Sequence, residues 1–251
     1  MNDLNRNLSV YADDEPVNGF RHAYLSGRDA VGLLPLPFLL RIWNPDESAY
    51  LLLCSAKDVA VMSDDSVLAF GKVSAVYRRT VPEGIACEII FSPGLKLWDA
   101  QVSLSVEAGV SVSETVRRIL AASGTGIPLL SWPGEDPVRS RGQAFFGRAA
   151  ECVNEALSAT GAKACLNRSG LCVLPAADAP VTLVLSEADL IDAPVTVNNL
   201  IVLRTRVVGW PLGKKASIRW KGQSWEGVVT ERAVEADNMD GDWQCELALK
   251  I

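Results

Sequence analysis

One strand-turn-strand pattern occurs twice in this 251-residue chain and limits the folds that it can adopt. In residues 58–76, apolar and polar residues alternate, a polar turn follows, and a strand resumes at Gly71. Residues 216–232 repeat the pattern, with a strand resuming at Gly227. Glycine inside a strand often marks a place where a side chain would crowd its neighbour. The repeat therefore predicts two related small β-domains in which Gly71 and Gly227 are equivalent.

Short apolar or alternating runs between turn clusters predict strands in the N-terminal part of the chain. These runs are residues 50–54, 59–61, 73–77 and 87–91. Val102, Leu104 and Val106 alternate with polar residues, which is typical of a strand with one buried face. We assign all of these runs to a small antiparallel barrel.

The pattern changes at Val110, where helices replace strands. Ser111 and Glu114 have the spacing of a capping box, and Ser123-Gly124 ends the predicted helix. A second helix is predicted near residues 148–160, with Gly161 at its C′ position. The buried stripes of the two helices are expected to be Val112, Val116, Ile119 and Leu120, and Ala149, Val153, Ala156 and Leu157.

A hairpin and a second run of strands complete the chain. Residues 164–166 and 171–174 flank a turn signal at 167–170. Strands resume at Val181, are interrupted by a short capped turn at residues 186–190, and end in a strictly alternating run from Trp243. We therefore predict a mainly β fold with a small α/β insert. Two small antiparallel barrel-like domains, residues 1–108 and 179–251, flank the α/β unit at residues 109–178.

Charge and hydropathy exclude several classes of partner. The net charge is -6 and the two signs are interspersed, so no basic patch for nucleic acid is expected. The apolar run at residues 31–40 is broken by Pro35 and Pro37 and is shorter than the roughly 20 residues of a membrane span. The first residues lack a cationic segment followed by an apolar run, so secretion by a signal peptide is not expected.

The sequence offers little catalytic or metal-binding chemistry. His22 is the only histidine, and we interpret it as a structural or surface residue. The six cysteines contain no CxxC pair and are expected to be reduced and buried, although Cys165 and Cys172 flank a hairpin turn and could lie close enough to bridge. We predict no catalytic residues, no metal site and no cofactor.

Acidic and aromatic residues are the remaining candidates. Glu135 and Asp136 are adjacent in a loop, which does not place two acids across a glycosidic bond. We interpret the segment of residues 237–242, which contains Asp237, Asp240 and Asp242, as an acidic solvated turn. Tryptophan is enriched at protein interfaces, and the alternative is core packing, which we favour. The candidate interface or packing residues are Trp210, Trp220, Trp225 and Trp243.

Several stretches, in this order, resemble the tail or baseplate hub proteins of bacteriophages, phage-derived particles and type VI secretion spikes, including the late control protein family. They are residues 70–73 with the long strand that follows, 97–100, 109–120, 161–175 and 225–247. Their order, rather than any single motif, carries the resemblance from about residue 18 to 251. Many hub proteins have a His-Gly-Asp-type stretch before the terminal Trp strand, which residues 235–243 lack. No attached spike, peptidoglycan-binding or lysozyme domain is expected, so the resemblance does not imply those activities here.

The resemblance implies a structural role without catalysis. It implies two barrels per subunit and a homotrimer that presents a pseudo-sixfold ring. Such a trimer would join the tail tube protein to the central spike protein in the virion tail or baseplate, after assembly in the bacterial cytoplasm. Two alternatives stay open: a tail-associated cell-wall hydrolase that uses Glu135 or Asp240, and a carbohydrate-binding β-module that uses surface tryptophans.

Overall fold

Both ends of the chain build one structural unit, and its middle builds another. The computed structural model describes residues 6–174, 181–206, 208–209, 211–239 and 241–251. The first unit comprises Met1–Asp29, Leu36–Ser92 and Pro180–Ile251, and the second comprises Ala30–Pro35 and Pro93–Ala179.

The N-terminal part of the first unit is an antiparallel sheet with a short helix. Its elements are β1 Ser9–Ala12, β2 Glu15–Val17, β3 His22–Ala30, β4 Phe38–Trp43, α1 Glu47–Ser55, β5 Asp58–Ser63, β6 Ser66–Val81 and β7 Gly84–Ser92. The strands hydrogen bond in the order β3-β4-β7-β6-β5-β1-β2. Leu25 pairs with Leu40, and Leu40 pairs with Ile89. Residues paired across neighbouring strands share a face, so these three side chains lie together in the core.

Residues 50–54 lie in α1, so the strand predicted there is wrong. Asp46 caps this helix by accepting a hydrogen bond from the Ala49 N–H at 2.8 Å. Leucine has a high helix propensity, and a short apolar run does not distinguish a buried helix from a strand by its periodicity. Leu53 points into the core. The strands predicted at residues 59–61, 73–77 and 87–91 are confirmed in β5, β6 and β7.

The second unit combines helices with two small sheets. Its elements are α2 Leu95–Asp99, β8 Gln101–Val106, α3 Val112–Ser123, β9 Leu129–Ser131, β10 Gln143–Arg148, α4 Ala149–Ser158, β11 Lys163–Asn167 and β12 Gly170–Leu174. Both predicted helices and their buried stripes are confirmed. Ser111 caps α3 by accepting from the Glu114 N–H at 3.3 Å, and Gly124 ends the helix in the left-handed conformation. The C-cap of α4 is Ala159, so Gly161 lies one residue beyond its predicted position.

The strand β8 does not belong to the N-terminal barrel, which corrects the assignment made from the sequence. It pairs with β10 in a two-stranded sheet. Val102 and Val106 are buried as expected, and they pack with α3 and α4. Alternation reveals which face of a strand is buried but not which strand pairs with it, because any apolar surface can cover that face. The division into residues 1–108, 109–178 and 179–251 stays a prediction.

None of the six cysteines forms a disulfide bond. Cys165 and Cys172 lie directly opposite each other on β11 and β12 but are not bridged. Cys54 is exposed, so the expectation that the cysteines are buried is wrong for this residue. Burial raises the pKa of Cys87 to about 11 and that of Cys245 to about 12, so both stay protonated thiols at neutral pH.

The C-terminal part of the first unit is a second sheet with a short 3-10 turn. Its elements are β13 Val181–Leu185, the turn Glu187–Asp189, β14 Val195–Val197, β15 Leu200–Thr205, β16 Lys215–Trp220, β17 Gln223–Asp237 and β18 Trp243–Lys250. The predicted capped turn is confirmed, since Ser186 and Asp189 form a reciprocal capping box. The predicted alternation of the last strand is confirmed by the burial of Trp243, Cys245, Leu247 and Leu249.

The two parts of the first unit have the same strand pairing, as the sequence repeat predicted. The strand order is β4-β7-β6-β5 in one and β15-β18-β17-β16 in the other, and all these pairs are antiparallel. Gly71 pairs with Val59, the second residue of β5, and Gly227 pairs with Ala216, the second residue of β16. The two glycines are therefore at equivalent positions. Both lie inside a long strand rather than at its start, which corrects the predicted boundaries.

A β-bulge also occurs at equivalent positions of the two long strands. Ser74 is the extra residue of β6, and Thr230 is the extra residue of β17. The Ser74 hydroxyl donates to the Ile90 carbonyl at 3.0 Å, and the Thr230 hydroxyl donates to the Ala248 carbonyl at 3.1 Å. Each hydroxyl thus bonds a carbonyl of the facing strand at the point where the ladder is irregular. The duplication thus extends to individual hydrogen bonds.

Candidate functional site

The strands β17 and β3 join the two sheets into one. A buried ion pair lies at this junction: Arg232 Nε is 2.7 Å from Asp29 Oδ1, and Arg232 Nη2 is 2.9 Å from Asp29 Oδ2. Arg232 also donates to the Leu68 carbonyl at 2.9 Å. Burial by itself would lower the pKa of Arg232, but the Asp29 carboxylate outweighs it and raises that pKa. Arg232 therefore stays charged in the core and connects β17, β3 and β6.

Hydrogen bonds from Asn238 hold the other end of the junction. The Asn238 side chain accepts from the Ala23 N–H at 2.9 Å and donates to the Arg21 carbonyl at 3.1 Å. The Asn238 N–H donates to the Ala23 carbonyl at 3.2 Å. Asn238 thus lies opposite Ala23, whereas Arg232 lies opposite Asp29. The two strands therefore run antiparallel at the junction.

His22, which is half-buried, and Asp237, which is buried, form a cluster beside these bonds, so the expectation of a solvated turn is wrong for Asp237. His22 Nε2 lies 3.1 Å from both carboxylate oxygens of Asp237. The imidazole stacks on Trp43 with ring centroids 3.9 Å apart and an angle of 8° between the rings. Burial by itself would raise the pKa of Asp237, but hydrogen bonds from the Met239 N–H and from His22 outweigh it and lower that pKa. The partners are 215 residues apart along the chain, so no local motif in the sequence could reveal the cluster.

A surface pocket of about 580 Å³ lies beside the stacked rings. The described residues that line it include no Ser, Thr or Cys: they are Gly19, Phe20, Arg21, His22, Trp43, Asn44 and Glu83. Together with the bonds of Asn238, the cluster fixes the start of β3 against the turn after β17.

We expect the stability of the chain to depend on the charge of Asp237. A carboxyl group whose pKa is lowered by folding stabilises the protein above its unfolded pKa of about 3.9, and this contribution is lost as the pH falls through the folded pKa. Urea unfolding between about pH 6 and about pH 3 should show this loss, and Asp237→Asn should reduce the slope in that range. Asp242→Asn is the matched control, because Asp242 is exposed on the same turn. Equal slopes in the two variants would contradict the assignment.

The candidate tryptophans do not converge on one site. Trp243 is 9% exposed and belongs to the core. Trp220 and Trp225 are half-buried at the β16–β17 hairpin and pack against that core from its edge. Trp243 lies beside Ala236, at the other end of β17 from this hairpin. Trp210 lies outside the described residues.

The candidate acids have separate structural positions. Asp136 accepts from the Ser113 N–H at 2.9 Å and from the Ser113 hydroxyl at 2.6 Å, so it satisfies the first turn of α3. These bonds outweigh the effect of burial and lower the pKa of Asp136. Glu135 is exposed, and its backbone carbonyl accepts from the Trp132 indole at 3.2 Å. Asp240 lies outside the described residues.

In the described part of the chain, no three His, Cys, Asp or Glu side chains are grouped as a metal ion would need. None of the helices described above is long and apolar enough to cross a membrane.

The fold is similar to those of solved tail proteins. A tail protein from Neisseria meningitidis MC58 has a TM-score of 0.73 and 12% identity, and the match covers 97% of this chain and 95% of that chain. The 43 kDa tail protein of prophage MuSo2 from Shewanella oneidensis has a TM-score of 0.70 and 10% identity, with coverage of 97% and 96%.

A third similar structure comes from a secretion system. It is an E. coli component of the type VI secretion system, described as structurally similar to the T4 bacteriophage tail proteins gp27 and gp5. Its TM-score is 0.67 at 11% identity, and the match covers 92% of this chain and 74% of that chain. No protein-family model and no curated protein matches the sequence. Identities this low establish the fold alone, and the chain therefore has the fold of phage tail and type VI spike-related proteins that its sequence resembles.

Proposed function

We propose that this chain is a structural tail or baseplate hub subunit of a phage or prophage-derived particle. In this proposal three copies form a pseudo-sixfold ring that joins the tail tube to the central spike, and the chain has no catalytic activity. The particle assembles in the bacterial cytoplasm, and the subunit becomes part of the virion tail or baseplate. In this proposal the subunit neither binds nucleic acid nor inserts into a membrane.

The duplicated sheet is the observation that carries this proposal. A sixfold tube presents six equivalent positions and a threefold spike only three, and a trimer whose subunits each have two equivalent parts can contact both. Here the strand pairing, the glycine position and the bulge are repeated within one chain. Three such chains would present six similar sheets to a tube and three identical subunits to a spike.

The similar structures support the structural role. They are described as tail proteins and as a type VI secretion component, and not as enzymes. In this proposal the α/β insert, residues 109–178 in the sequence division, decorates the outside of the ring. Trp220 and Trp225 stay candidate interface residues because each is only half-buried.

Mass measurement tests the proposal directly. Native mass spectrometry of the purified chain should give three times the mass of one chain, and electron microscopy should show rings. Coexpression with the products of neighbouring genes tests whether a tube or spike protein is needed for assembly. A monomer in every mixture, together with peptidoglycan release that Glu135→Ala abolishes, would favour a cell-wall hydrolase instead.

A further inference from the structure

We propose that β14 of one copy pairs antiparallel with the second half of β6 of the next copy, so that the sheet continues between chains. This inference rests on the proposed ring and adds to it the contact through which the ring closes. The occupant of each strand edge is a second copy of this chain.

The junction inside the chain is the template for this contact. By the repeat, β17 corresponds to β6 and β3 corresponds to β14, because β14 pairs with β15 as β3 pairs with β4. Since β17 pairs with β3 within the chain, the repeat predicts that β6 has an equivalent partner. The strand equivalent to that partner is β14, which lies at the other end of the sheet.

The second half of β6 has an open edge among the described residues. Its first half pairs with β5 as far as Lys72, whereas the residues after Val73 have a strand partner only on the β7 side. Tyr77, in this second half, is 46% exposed. An open edge presents unpaired N–H and C=O groups that accept another strand.

The strand β14 offers the complementary edge. It pairs with β15 on one side, and the structure describes no strand on its other side. Val195 is 56% exposed and Val197 is 51% exposed. Both side chains lie on the face of the sheet that Lys250 occupies on β18, because Val197 pairs with Leu200 and Leu200 pairs with Lys250.

The register of the new contact follows from the repeat. Since Gly227 corresponds to Gly71, Arg232 corresponds to Val76. On the partner strand, Asp29 corresponds to Asn198. The contact between Arg232 and Asp29 thus becomes a contact between Val76 and Asn198, which in an antiparallel pair brings Tyr77 next to Val197.

Side-chain chemistry fits this register. Tyr77 and Val197 lie on the same outward face of the sheet in their own chains. Aromatic and β-branched residues opposite each other stabilise antiparallel strands. Pairing would also cover three exposed apolar side chains, Tyr77, Val195 and Val197. The buried ion pair of the internal junction has no equivalent here, because Val76 and Asn198 carry no charge.

Cysteine crosslinking tests the contact. Tyr77→Cys and Val197→Cys are combined in a Cys54→Ser background, since Cys54 is an exposed thiol. Oxidation should give disulfide-linked dimers and a closed trimer on a nonreducing gel, because opposed residues of paired strands can satisfy disulfide geometry. A mixture of the two single variants should give dimers only. The matched control combines Tyr77→Cys with Val184→Cys, which is 60% exposed on β13, and should not crosslink.

Charged substitutions give a second readout. Val195→Lys with Val197→Lys should make the chain monomeric while its circular dichroism spectrum stays that of the folded protein, whereas Val184→Lys should leave association intact. A ring that forms but does not crosslink at these positions, or that survives the double lysine variant, overturns this contact and leaves the proposed function standing. A chain that stays monomeric even with its tube and spike partners overturns both.

Discussion

Asp29→Ala should lower the free energy of unfolding by about 3 to 5 kcal/mol, because it leaves the Arg232 guanidinium buried without its counter-charge. The Arg232 side chain is 6% exposed and that of Asp29 is 9% exposed, so water does not replace the lost partner. Because the pair joins β17 to β3, the loss falls on the contact between the two sheets. Urea unfolding followed by tryptophan fluorescence measures the effect.

Two further variants make this result specific. Replacing both partners, Asp29→Leu with Arg232→Met, should recover much of the stability, because a buried pair can often be exchanged for apolar residues of similar volume. Asp192→Ala is the matched control, since Asp192 pairs with Arg204 at the surface, and it should change stability little. If Asp29→Ala were as mild as Asp192→Ala, the junction would not depend on the ion pair.

Trp243→Ala should destabilise the chain by about 3 to 5 kcal/mol, as expected when a large aromatic side chain is removed from a core. Trp243 lies at the start of β18 beside Ala236 and contributes to the core shared by both sheets. The matched comparison is Trp225→Ala, which should cost less because Trp225 is half-buried at the edge of that core. Thermal and urea unfolding of the two variants give the ranking.

The opposite ranking would contradict the packing role of Trp243. A folded and stable Trp225→Ala variant that no longer associates would identify Trp225 as an interface residue. Trp243→Phe should be milder than Trp243→Ala, because the phenyl ring fills part of the cavity.

Local features of the fold were predictable from the sequence. The cap at Ser111 and the left-handed Gly124 follow from residues that are neighbours along the chain. The repeat around Gly71 and Gly227 was also visible, because alternation in a strand depends on burial of one face. The apolar run in α1 was misassigned since its length and composition suit either a helix or a strand.

The sequence by itself determined the alternation of the strands and the caps of the helices, because each depends on residues close together in the chain. It also determined the duplication, because each of the two copies is itself a local pattern. Only the tertiary structure decided which strands meet. It paired β8 with β10, placed Arg232 against Asp29, and brought His22 to Asp237 across 215 residues. Such contacts form when distant segments bury apolar surface together, and no local pattern records which distant partner will provide that surface.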